Sequence, residues 1–440
     1  MKPFFIRILL LPLPLALALP LPAQSLYFPP SSNSTWDTLS PQSLNWCQTQ
    51  IDSLFAYLDS NNTKAFVLLK DGKIMLEKYF GTHTQTSAWQ WASAGKTITA
   101  FMVGMAQQEN YLSIADTTAK YLGNGWTSCN PPEEEKITIR HQLTMTSGLD
   151  DAVPDPYCTH DSCLLYKADA GTRWAYHNAP YTLLDSVIEN ATGATLNAYT
   201  TQKLKTPTGM SGLFVTLGYN NVFFSDARSM ARFGLLMLNR GNWNGNQLLT
   251  DTAYFNQMVN TSQAINPSYG YLWWLNGKSG YRVPGSQLLF PGYLNPHAPA
   301  DMYVAMGKDG QFLNIVPSKN MVWVRMGNSP DGLPVPFLMN DKIWEYLNQL
   351  ECNTLNVQET EDFHNAVLIF PNPAREILHI KSDVPVSTIE MLTIYGQLLK
   401  SEIGTHKESS IPIYELNPGL YWIKVYLTNG SVWSGKMLKE

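Results

Sequence analysis

Charged residues are scarce in this sequence, and the patterns that mark several functional classes do not occur in it. Asp, Glu, Lys and Arg make up 15% of the 440 residues, and the formal net charge is −5. There is no basic block and no basic–aromatic repeat, so nucleic acid is not expected as a partner. Beyond the N-terminal segment, no stretch has the roughly 20 apolar residues that a membrane span needs. The mature chain is therefore predicted to lack a transmembrane segment.

The motifs of metal sites and of one large hydrolase class are also missing. No Cys-x-x-Cys pair or His/Cys cluster has the spacing of zinc ligands, so we expect no metal and no other cofactor. The absence of Gly-x-Ser-x-Gly argues against the strand–turn–helix nucleophile of α/β-hydrolases. Eight histidines are present, and none lies in a recognisable catalytic context. Structural or surface roles are therefore favoured for them over a Ser-His-Asp arrangement.

The N-terminal segment, residues 1–24, has the composition of a secretory signal peptide. It contains Lys2 and Arg7, then a leucine-rich run, then a small residue near Ala23. Prolines interrupt the apolar run, which a stable membrane helix would tolerate poorly. We therefore predict an exported protein that is secreted or attached to the cell surface.

The chain has five cysteines, which fits an oxidising compartment. Cys158 and Cys163 are close enough to close a small loop. Cys47 and Cys352 flank the central region and are candidates to link its first and last helices, while Cys129 is left over. The alternative is that all five are free thiols.

Residues 36–352 form the predicted central domain. An amphipathic helix, "SLNWCQTQIDSLFAYLDS", is followed by two strands joined at an Asp-Gly turn, "KAFVLLKDGKIMLEKYF". Helices and loops fill the middle, and the strands "MYVAMGKDGQFLNIVP" and "MVWVRMG" precede a closing helix. Strands at both ends and helices between them predict an α/β (α+β) fold, with an antiparallel sheet flanked by helices and an inserted helical lobe.

The composition and the hydrophobic pattern of the sequence change after Cys352. Residues 353–365 are polar and acidic and are predicted to be a linker. Residues 366–440 contain short β-type runs separated by turn signals such as "NPG" and "TNG". This spacing predicts a small all-β sandwich without a catalytic constellation.

One stretch of the central domain, "WQWASAGKTITAFMVGMAQQ", places a serine and a lysine one helical turn apart. A serine hydroxyl needs a base within hydrogen-bond reach to act as a nucleophile. Ser93 would lie at the helix N-terminus, where the N–H groups and the helix dipole favour an oxyanion. Lys96 would be buried by the apolar face of the helix, and burial lowers the pKa of a lysine. The alternative is a helix-capping serine followed by an ordinary lysine.

A second stretch, "GTRWAYHNAPYTLLDSVIENATG", places Tyr176 and Asn178 just before a helix. Together with "SAGK" it resembles the serine β-lactamase and penicillin-binding-protein superfamily. The closest similarity is to the branch of β-lactamase-related hydrolases with esterases, D-aminopeptidases and 6-aminohexanoate-dimer hydrolases. "ITIRHQLTMTSGL", "FSDARSMARFGLLMLNRGNWNG" and "YGYLWWLN" extend the resemblance over nearly all of residues 36–350.

The resemblance implies roles for these residues. Ser93 would be the acylated nucleophile, with Lys96 as its proton acceptor. Tyr176 would be a second proton-relay group, and a phenol can act as a base only beside a cation, which Lys96 would supply. Asn178 would orient the substrate or Lys96, and His177 is expected to point away.

The third motif of the superfamily, a Lys-Thr-Gly or His-x-Gly triplet on the strand bordering the site, has its best match at Lys308-Asp309-Gly310. Gly310 would let substrate approach the strand closely, and the N–H of Gln311 would complete an oxyanion hole with that of Ser93.

Asp309 replaces the hydroxyl residue that binds the substrate carboxylate in β-lactam-processing relatives. Like charges 4 Å apart cost about 1–4 kcal/mol, and Lys308 would offset part of this cost. A neutral or cationic ester or amide is therefore favoured over a penicillin. A minor substrate-binding role is assigned to Trp91 and Trp274, although aromatic residues are more often part of the core.

The C-terminal stretches "PNPA", "IYGQLL" and "LNPGLYWIKV" resemble the sorting domain of type IX secretion substrates. This implies that the type IX machinery is a partner and that the protein crosses the outer membrane after signal-peptide export. The alternative is a β-sandwich accessory or adhesion module.

The resulting prediction is a secreted serine hydrolase that forms an acyl-enzyme on Ser93 and acts on a small-molecule ester, amide or short peptide. One alternative is a D,D-peptidase or β-lactamase acting on peptidoglycan peptides or β-lactams. Two others are a non-hydrolytic acyl-binding sensor and a surface module whose motifs are relics.

Overall fold

A computed structural model describes residues 26–329, 335–352, 367–394, 396–404 and 406–440. The predicted signal peptide (residues 1–24) and linker (residues 353–365) lie outside these ranges, as does residue 366. The chain divides into two compact units, one ending at Cys352 and the other following it.

The first unit combines helices with an antiparallel sheet. Its helices are α1 (Gln48–Ser60), α2 (Lys96–Gln108), α3 (Ala119–Leu122), α4 (Pro131–Glu134), α5 (Ile139–Leu143), α6 (Asn178–Thr192), α7 (Leu196–Thr200), α8 (Thr206–Thr208), α9 (Ala227–Leu238), α10 (Thr252–Met258) and α11 (Phe337–Leu347). Its strands are β1 (Thr63–Lys70), β2 (Lys73–Tyr79), β3 (Trp89–Gln90), β4 (Leu213–Leu217), β5 (Asn220–Ser225), β6 (Asn242–Trp243), β7 (Asn246–Gln247), β8 (Trp274–Leu275), β9 (Gly280–Tyr281), β10 (Phe290–Pro291), β11 (Tyr303–Gly307), β12 (Gln311–Val316) and β13 (Met321–Gly327).

The main sheet has the order β2-β1-β13-β12-β11-β8, and each neighbouring pair is antiparallel. Strands β12 and β13 are buried along their whole length, as expected for strands covered on both faces. Helix α9 packs against β1, β12 and β13, while α1 contacts β1 and α11. The helical lobe comes from the chain between β2 and α9, where α6 packs on α2, α3 and α5. The predicted sheet with flanking helices and an inserted lobe is therefore confirmed.

The second unit is all-β. Its strands are β14 (Val367–Phe370), β15 (Ile377–Ser382), β16 (Val386–Thr393), β17 (Leu398–Ile403), β18 (Glu408–Pro412), β19 (Gly419–Leu427) and β20 (Val432–Lys439). One sheet has the order β14-β15-β18 and the other β17-β16-β19-β20. Apolar side chains of both sheets, such as Leu378, Ile389 and Val425, share one core. This is the all-β architecture that the sequence predicted.

Two disulfides are present in the first unit. Cys47, which precedes α1, is bonded to Cys352, which follows α11. Cys158 is bonded to Cys163 and closes a short loop. Cys129 is a half-buried free thiol. The long-range bond joins the two ends of the unit, so it crosslinks residues that are far apart in the unfolded chain.

Candidate active site

Ser93 lies in a tight turn that leads directly into a buried helix. Residues Ala92–Gly95 form this 3₁₀ turn, and α2 begins at the next residue. Ala92 has a φ of 46°, in the left-handed region that side chains other than glycine rarely adopt. Ser93 itself is half-buried. The turn therefore fixes the backbone at Ser93, and the residue is still partly accessible.

Trp91, the residue before this turn, packs in the core and holds the turn in place. Its indole Nε1 donates a hydrogen bond to Ser225 Oγ (2.8 Å), and its ring meets Phe223 edge-on at 5.1 Å. The side chain is 0% exposed. The substrate-binding role predicted for Trp91 is therefore wrong, because the ring fills the core and positions the Ser93 turn.

The amine of Lys96 is directed at the serine. Its Nζ lies 3.2 Å from Ser93 Oγ, as the spacing of the two residues suggested. The residue is 4% exposed, and desolvation lowers the pKa of Lys96 to about 7, against an opposing effect of the negative charge of Asp185. Near neutral pH a large fraction of Lys96 is therefore the free amine, which is the form that accepts a proton.

Two tyrosines form the wall around this amine. The ring of Tyr181 lies 4.0 Å from Lys96 Nζ and that of Tyr176 lies 5.4 Å from it. Tyr176 is also hydrogen-bonded to Ser93. The structure therefore brings Ser93, Lys96 and Tyr176 together at one point.

The protonation state of Tyr176 differs from the expectation. Burial raises the pKa of Tyr176 well above its usual range, and the hydrogen bond from Ser93 lowers it only in part. The sequence predicts instead that Lys96 is a cation that makes the phenol basic. Because burial is the largest influence on its pKa, Tyr176 remains a protonated phenol and is suited to donate a proton.

Trp274 lies behind Tyr176. The two rings stack with centroids 5.8 Å apart and an interplanar angle of 17°. Trp274 is buried, with an exposure of 3%. The predicted substrate contact of Trp274 is therefore replaced by a supporting one, since its ring fixes the orientation of Tyr176.

Asn178 and His177 flank the tyrosine motif on its C-terminal side. Asn178 is half-buried and is the first residue of α6, where its carbonyl accepts a hydrogen bond from Thr182 Oγ1 (3.0 Å). His177 is buried, and desolvation lowers its pKa to about 4 despite the charges of Asp151 and Asp150. His177 is therefore a neutral core residue, and the role of Asn178 stays a prediction.

The Lys308-Asp309-Gly310 triplet is not on a strand. Strand β11 ends at Gly307, and Lys308–Gly310 form a 3₁₀ turn before β12. Asp309 has a φ of 62° and Gly310 a φ of 77°, which is the left-handed conformation that an Asp-Gly pair favours in tight turns. The prediction that the triplet lies on a strand is therefore wrong. These residues form the turn between β11 and β12, which together are a hairpin and not one continuous strand.

Gly307, rather than Gly310, makes the close approach to the nucleophile. A Cβ on Gly307 would lie 2.3 Å from the carbonyl oxygen of Trp91 and 3.0 Å from the backbone N of Ala94. A Cβ on Gly310 would instead lie 2.5 Å from the guanidinium of Arg325. The absence of a side chain at Gly307 therefore lets β11 lie against the Ser93 turn.

Gln311 is the first residue of β12 and pairs with Gly307 across the hairpin. Its fully buried amide Nε2 donates to the carbonyls of Lys308 (3.1 Å) and Gly327 (2.6 Å). Lys308 is exposed and Asp309 is half-buried. The assignment of the second oxyanion-hole N–H to Gln311 stays a prediction. The Gln311 side chain stabilises the turn through these two hydrogen bonds.

Two buried charged residues were missed by the sequence analysis. Arg325, on β13, donates from Nη1 to the carbonyls of Asp309 and Gly310, both at 2.8 Å, and so holds the turn beside the site. Asp185, on α6, influences Lys96. The available signal was the same for both, namely a single charged residue in an otherwise apolar strand or helix face.

This combination of a half-buried serine, a buried lysine of lowered pKa and a protonated tyrosine is an arrangement suited to nucleophilic catalysis. Residues 58–348 match the β-lactamase family model, and the chain belongs to that family. Residues 368–440 match the secretion-system C-terminal sorting domain. The protein is thus a member of the β-lactamase and penicillin-binding-protein-like serine hydrolase superfamily with a secretion sorting tail, which implies handling by type IX machinery and secretion or surface attachment.

Relatives with similar sequences include two bacterial proteins. An uncharacterized protein of Alkalihalophilus pseudofirmus is 26% identical in an alignment of 315 residues that covers 62% of this chain and 87% of that protein. The protein flp of Staphylococcus aureus is 25% identical in an alignment of 190 residues that covers 38% of each chain.

Solved structures share the fold at low identity. A candidate 6-aminohexanoate-dimer hydrolase of Bacillus anthracis has a TM-score of 0.55 at 20% identity, covering 74% of this chain and 91% of the other. A candidate β-lactamase of Bacteroides dorei has a TM-score of 0.56 at 17% identity, covering 69% and 99%. A family VIII carboxylesterase has a TM-score of 0.52 at 14% identity, covering 69% and 97%. These likenesses establish the β-lactamase-like fold.

In the described part of the chain, no helix is long and apolar enough to span a membrane. Within the same residues, no group of three or more His, Cys, Asp or Glu side chains is arranged to hold a metal ion.

Proposed function

We propose that this protein hydrolyses a small ester, amide or short peptide through an acyl-enzyme on Ser93. The observation that carries the proposal is the 3.2 Å contact between Ser93 Oγ and Lys96 Nζ, in a site where burial makes that lysine a base near neutral pH. The hydrogen bond between Tyr176 and the same serine supplies a second proton-transfer group.

Acylation begins with transfer of the Ser93 proton to Lys96 Nζ as Oγ attacks the substrate carbonyl carbon. The carbonyl oxygen becomes an oxyanion, which the N–H of Ser93 and an N–H of the hairpin turn would stabilise. As the tetrahedral intermediate collapses, the bond from carbon to the leaving group breaks. Tyr176 donates its proton to the leaving group and recovers one from the Lys96 ammonium.

Deacylation repeats these steps with water as the nucleophile. The neutral Lys96 amine accepts a proton from the attacking water, directly or through the Tyr176 hydroxyl. The bond from the acyl carbon to Ser93 Oγ then breaks, and the proton returns to Oγ. The carboxylic acid product leaves, and the site regains its starting protonation.

The charge distribution favours substrates that are neutral at the acyl group. Strand β11, which lies against the Ser93 turn, carries no charged residue between Tyr303 and Gly307. The guanidinium of Arg325 is occupied by backbone carbonyls. Asp309 adds a negative charge in the adjoining turn, which exposed Lys308 offsets in part. Neither β11 nor Arg325 therefore offers a free positive charge to an anionic substrate.

Replacement of the nucleophile tests the mechanism. Ser93→Ala should abolish labelling by a fluorophosphonate probe and hydrolysis of p-nitrophenyl esters, while Ser53→Ala on the exposed face of α1 should leave both unchanged. Undiminished ester turnover in Ser93→Ala would refute the proposal. A persistent Ser93 adduct without product release, seen by intact mass spectrometry, would favour an acyl-binding sensor. Efficient nitrocefin hydrolysis would favour a β-lactamase or D,D-peptidase.

The domain arrangement is also proposed. Residues 1–24 would be removed during export, residues 36–352 would carry the hydrolase, and residues 353–365 would link it to the sorting domain at residues 366–440. Protein recovered from outside the cells should begin after residue 24 when its N-terminus is sequenced, and retention of Met1 in the exported protein would contradict this arrangement.

A further inference from the structure

A buried carboxylate lies next to the candidate active site and takes no part in the mechanism above. Asp185, on α6, is 3% exposed. Thr99 Oγ1 donates to Asp185 Oδ1 (3.3 Å), and Asn221 Nδ2 donates to Asp185 Oδ2 (3.0 Å). These donors belong to α2 and β5, so three elements of the fold converge on one carboxyl group.

The same contacts place Asp185 opposite Lys96. Thr99 lies one helical turn after Lys96 on α2, so the two side chains share a helix face. Tyr181 lies one turn before Asp185 on α6, and its ring is 4.0 Å from Lys96 Nζ. Helices α2 and α6 pack directly on each other. Lys96 and Asp185 are therefore both buried where α2 packs on α6, and Thr99 and Tyr181 connect them through their contacts.

Both hydrogen-bond donors to Asp185 are neutral. A buried carboxylate is costly unless a positive charge compensates for it, and Lys96 is the cation that acts on it. The other titratable groups facing Lys96 are Tyr176 and Tyr181, and burial keeps both phenols protonated. Tyr269 is a further buried phenol, and burial, together with those two tyrosines, raises its pKa well above the usual range.

Glu189 is the other charged group that acts on Asp185. It lies one turn further along α6, is half-buried, and accepts a hydrogen bond from the N–H of Leu196 (2.7 Å). Desolvation raises the pKa of Asp185, and the hydrogen bonds from Asn221 and Thr99 lower it. The charge of Glu189 raises this pKa and that of Lys96 lowers it, and the resulting value is about 7. The carboxyl group and the lysine therefore change charge in the same pH range, and each affects the other.

We propose that Asp185 is a positioning residue that acts through Lys96, so that the two groups share their ionisation and Asp185 sets the pH range in which Lys96 is a free base. The inference rests on the proposed function in one respect, namely that Lys96 is the base for Ser93. It assigns Asp185 no contact with substrate.

The test replaces the charge and keeps the shape. Asp185→Asn removes the anion that stabilises the Lys96 ammonium, so it should lower the pKa of Lys96. When kcat/KM for a p-nitrophenyl ester is measured from about pH 5 to about pH 9, the rise on the acidic side of the profile (the acid limb) should move to lower pH. The expected shift is roughly one unit, the lower end of the effect of a nearby opposite charge. Glu189→Gln is the matched control on the same helix and should move the limb much less.

A stably folded Asp185→Asn variant with an unmoved acid limb would overturn the inference. If that variant does not fold, Thr99→Val removes one donor to the carboxylate and should move the limb in the same direction by a smaller amount. An unmoved limb in Thr99→Val would then count against the inference.

A second measurement does not depend on hydrolysis. Because the folded-state pKa of Asp185 lies above its unfolded value, this carboxyl stabilises the fold at low pH and loses that contribution as pH rises through about 7. The stability of Asp185→Asn relative to the parent, measured by urea unfolding, should therefore increase from about pH 5 to about pH 8. A pH-independent difference would overturn the inference, whereas fluorophosphonate labelling that survives Ser93→Ala would refute the proposed function instead.

Discussion

The ring of Tyr176 stacks on Trp274 with centroids 5.8 Å apart and planes inclined by 17°. Tyr269 and Trp174 meet the ring of Tyr176 at 6.3 Å and 6.4 Å. Aromatic packing on several sides therefore fixes the phenol independently of its hydroxyl group. This separation makes it possible to remove the hydroxyl without moving the ring.

Tyr176→Phe should slow turnover by about 10² to 10⁴, the usual contribution of a positioned acid or base. Because the raised pKa keeps Tyr176 protonated, its main role in acylation is expected to be donation to the leaving group. Alkyl esters and amides, which need that proton, should lose more activity than p-nitrophenyl esters, which do not. Equal losses for both substrate types would contradict the donor role, and Tyr414→Phe, at an exposed position of the second unit, is the matched control.

Lys96→Met should reduce acylation by about 10² to 10⁴, because methionine has a similar length but lacks the amine that accepts the Ser93 proton. In the parent, the rate should rise with pH through a midpoint near 7, the pKa to which burial lowers Lys96. The direction follows from the chemistry, since only the deprotonated amine accepts the Ser93 proton. Stopped-flow acylation across the pH range gives both quantities. A rate that falls as pH rises through 7 would exclude Lys96 as the base.

Much of the site could be predicted because its residues are close in sequence. Ser93 and Lys96 are one turn apart on one helix, so their contact needs only local structure. The third motif was misplaced because it was treated as part of a strand. The Asp-Gly pair that indicates the first hairpin at Asp71-Gly72 occurs again at Asp309-Gly310, where the same pattern indicates a turn.

Other features depend on tertiary packing and have no local signature. The apposition of Asp185 and Lys96 requires α6 to pack on α2, and the distance between these helices cannot be read from either sequence. The burial of Trp91 depends in the same way on Phe223 and Ser225, which lie more than a hundred residues away. A single charged residue in an apolar pattern indicates that a partner exists, but does not identify it.

Asp309→Asn should improve turnover of anionic substrates. The Lys308–Gly310 turn lies close to the Ser93 turn, and loss of the carboxylate removes a repulsion of about 1 kcal/mol at solvent-exposed dielectric, or roughly a fivefold gain in kcat/KM. Nitrocefin, which carries a carboxylate, should show this gain, while a neutral p-nitrophenyl ester should not. An equal change for both substrates would indicate that the charge of Asp309 does not act on the substrate.

The two disulfides should affect different properties. Replacing both Cys47 and Cys352 by serine frees residues 305 positions apart, and chain entropy predicts a loss of about 6 kcal/mol in the free energy of unfolding. Replacing both Cys158 and Cys163, which are 5 positions apart, should cost about 2 kcal/mol on the same basis. Urea unfolding under oxidising conditions measures both losses.

The smaller loop should matter more for activity than for stability. The carbonyl of Pro156 accepts a hydrogen bond from the N–H of Ala179 (3.1 Å) at the start of α6, and Tyr157 influences Tyr176 electrostatically. Opening the loop between Cys158 and Cys163 should therefore lower kcat/KM for p-nitrophenyl esters, whereas loss of the long-range disulfide should leave it near the parent value at temperatures where the variant is folded. Unchanged kinetics after opening the small loop would show that it does not shape the site.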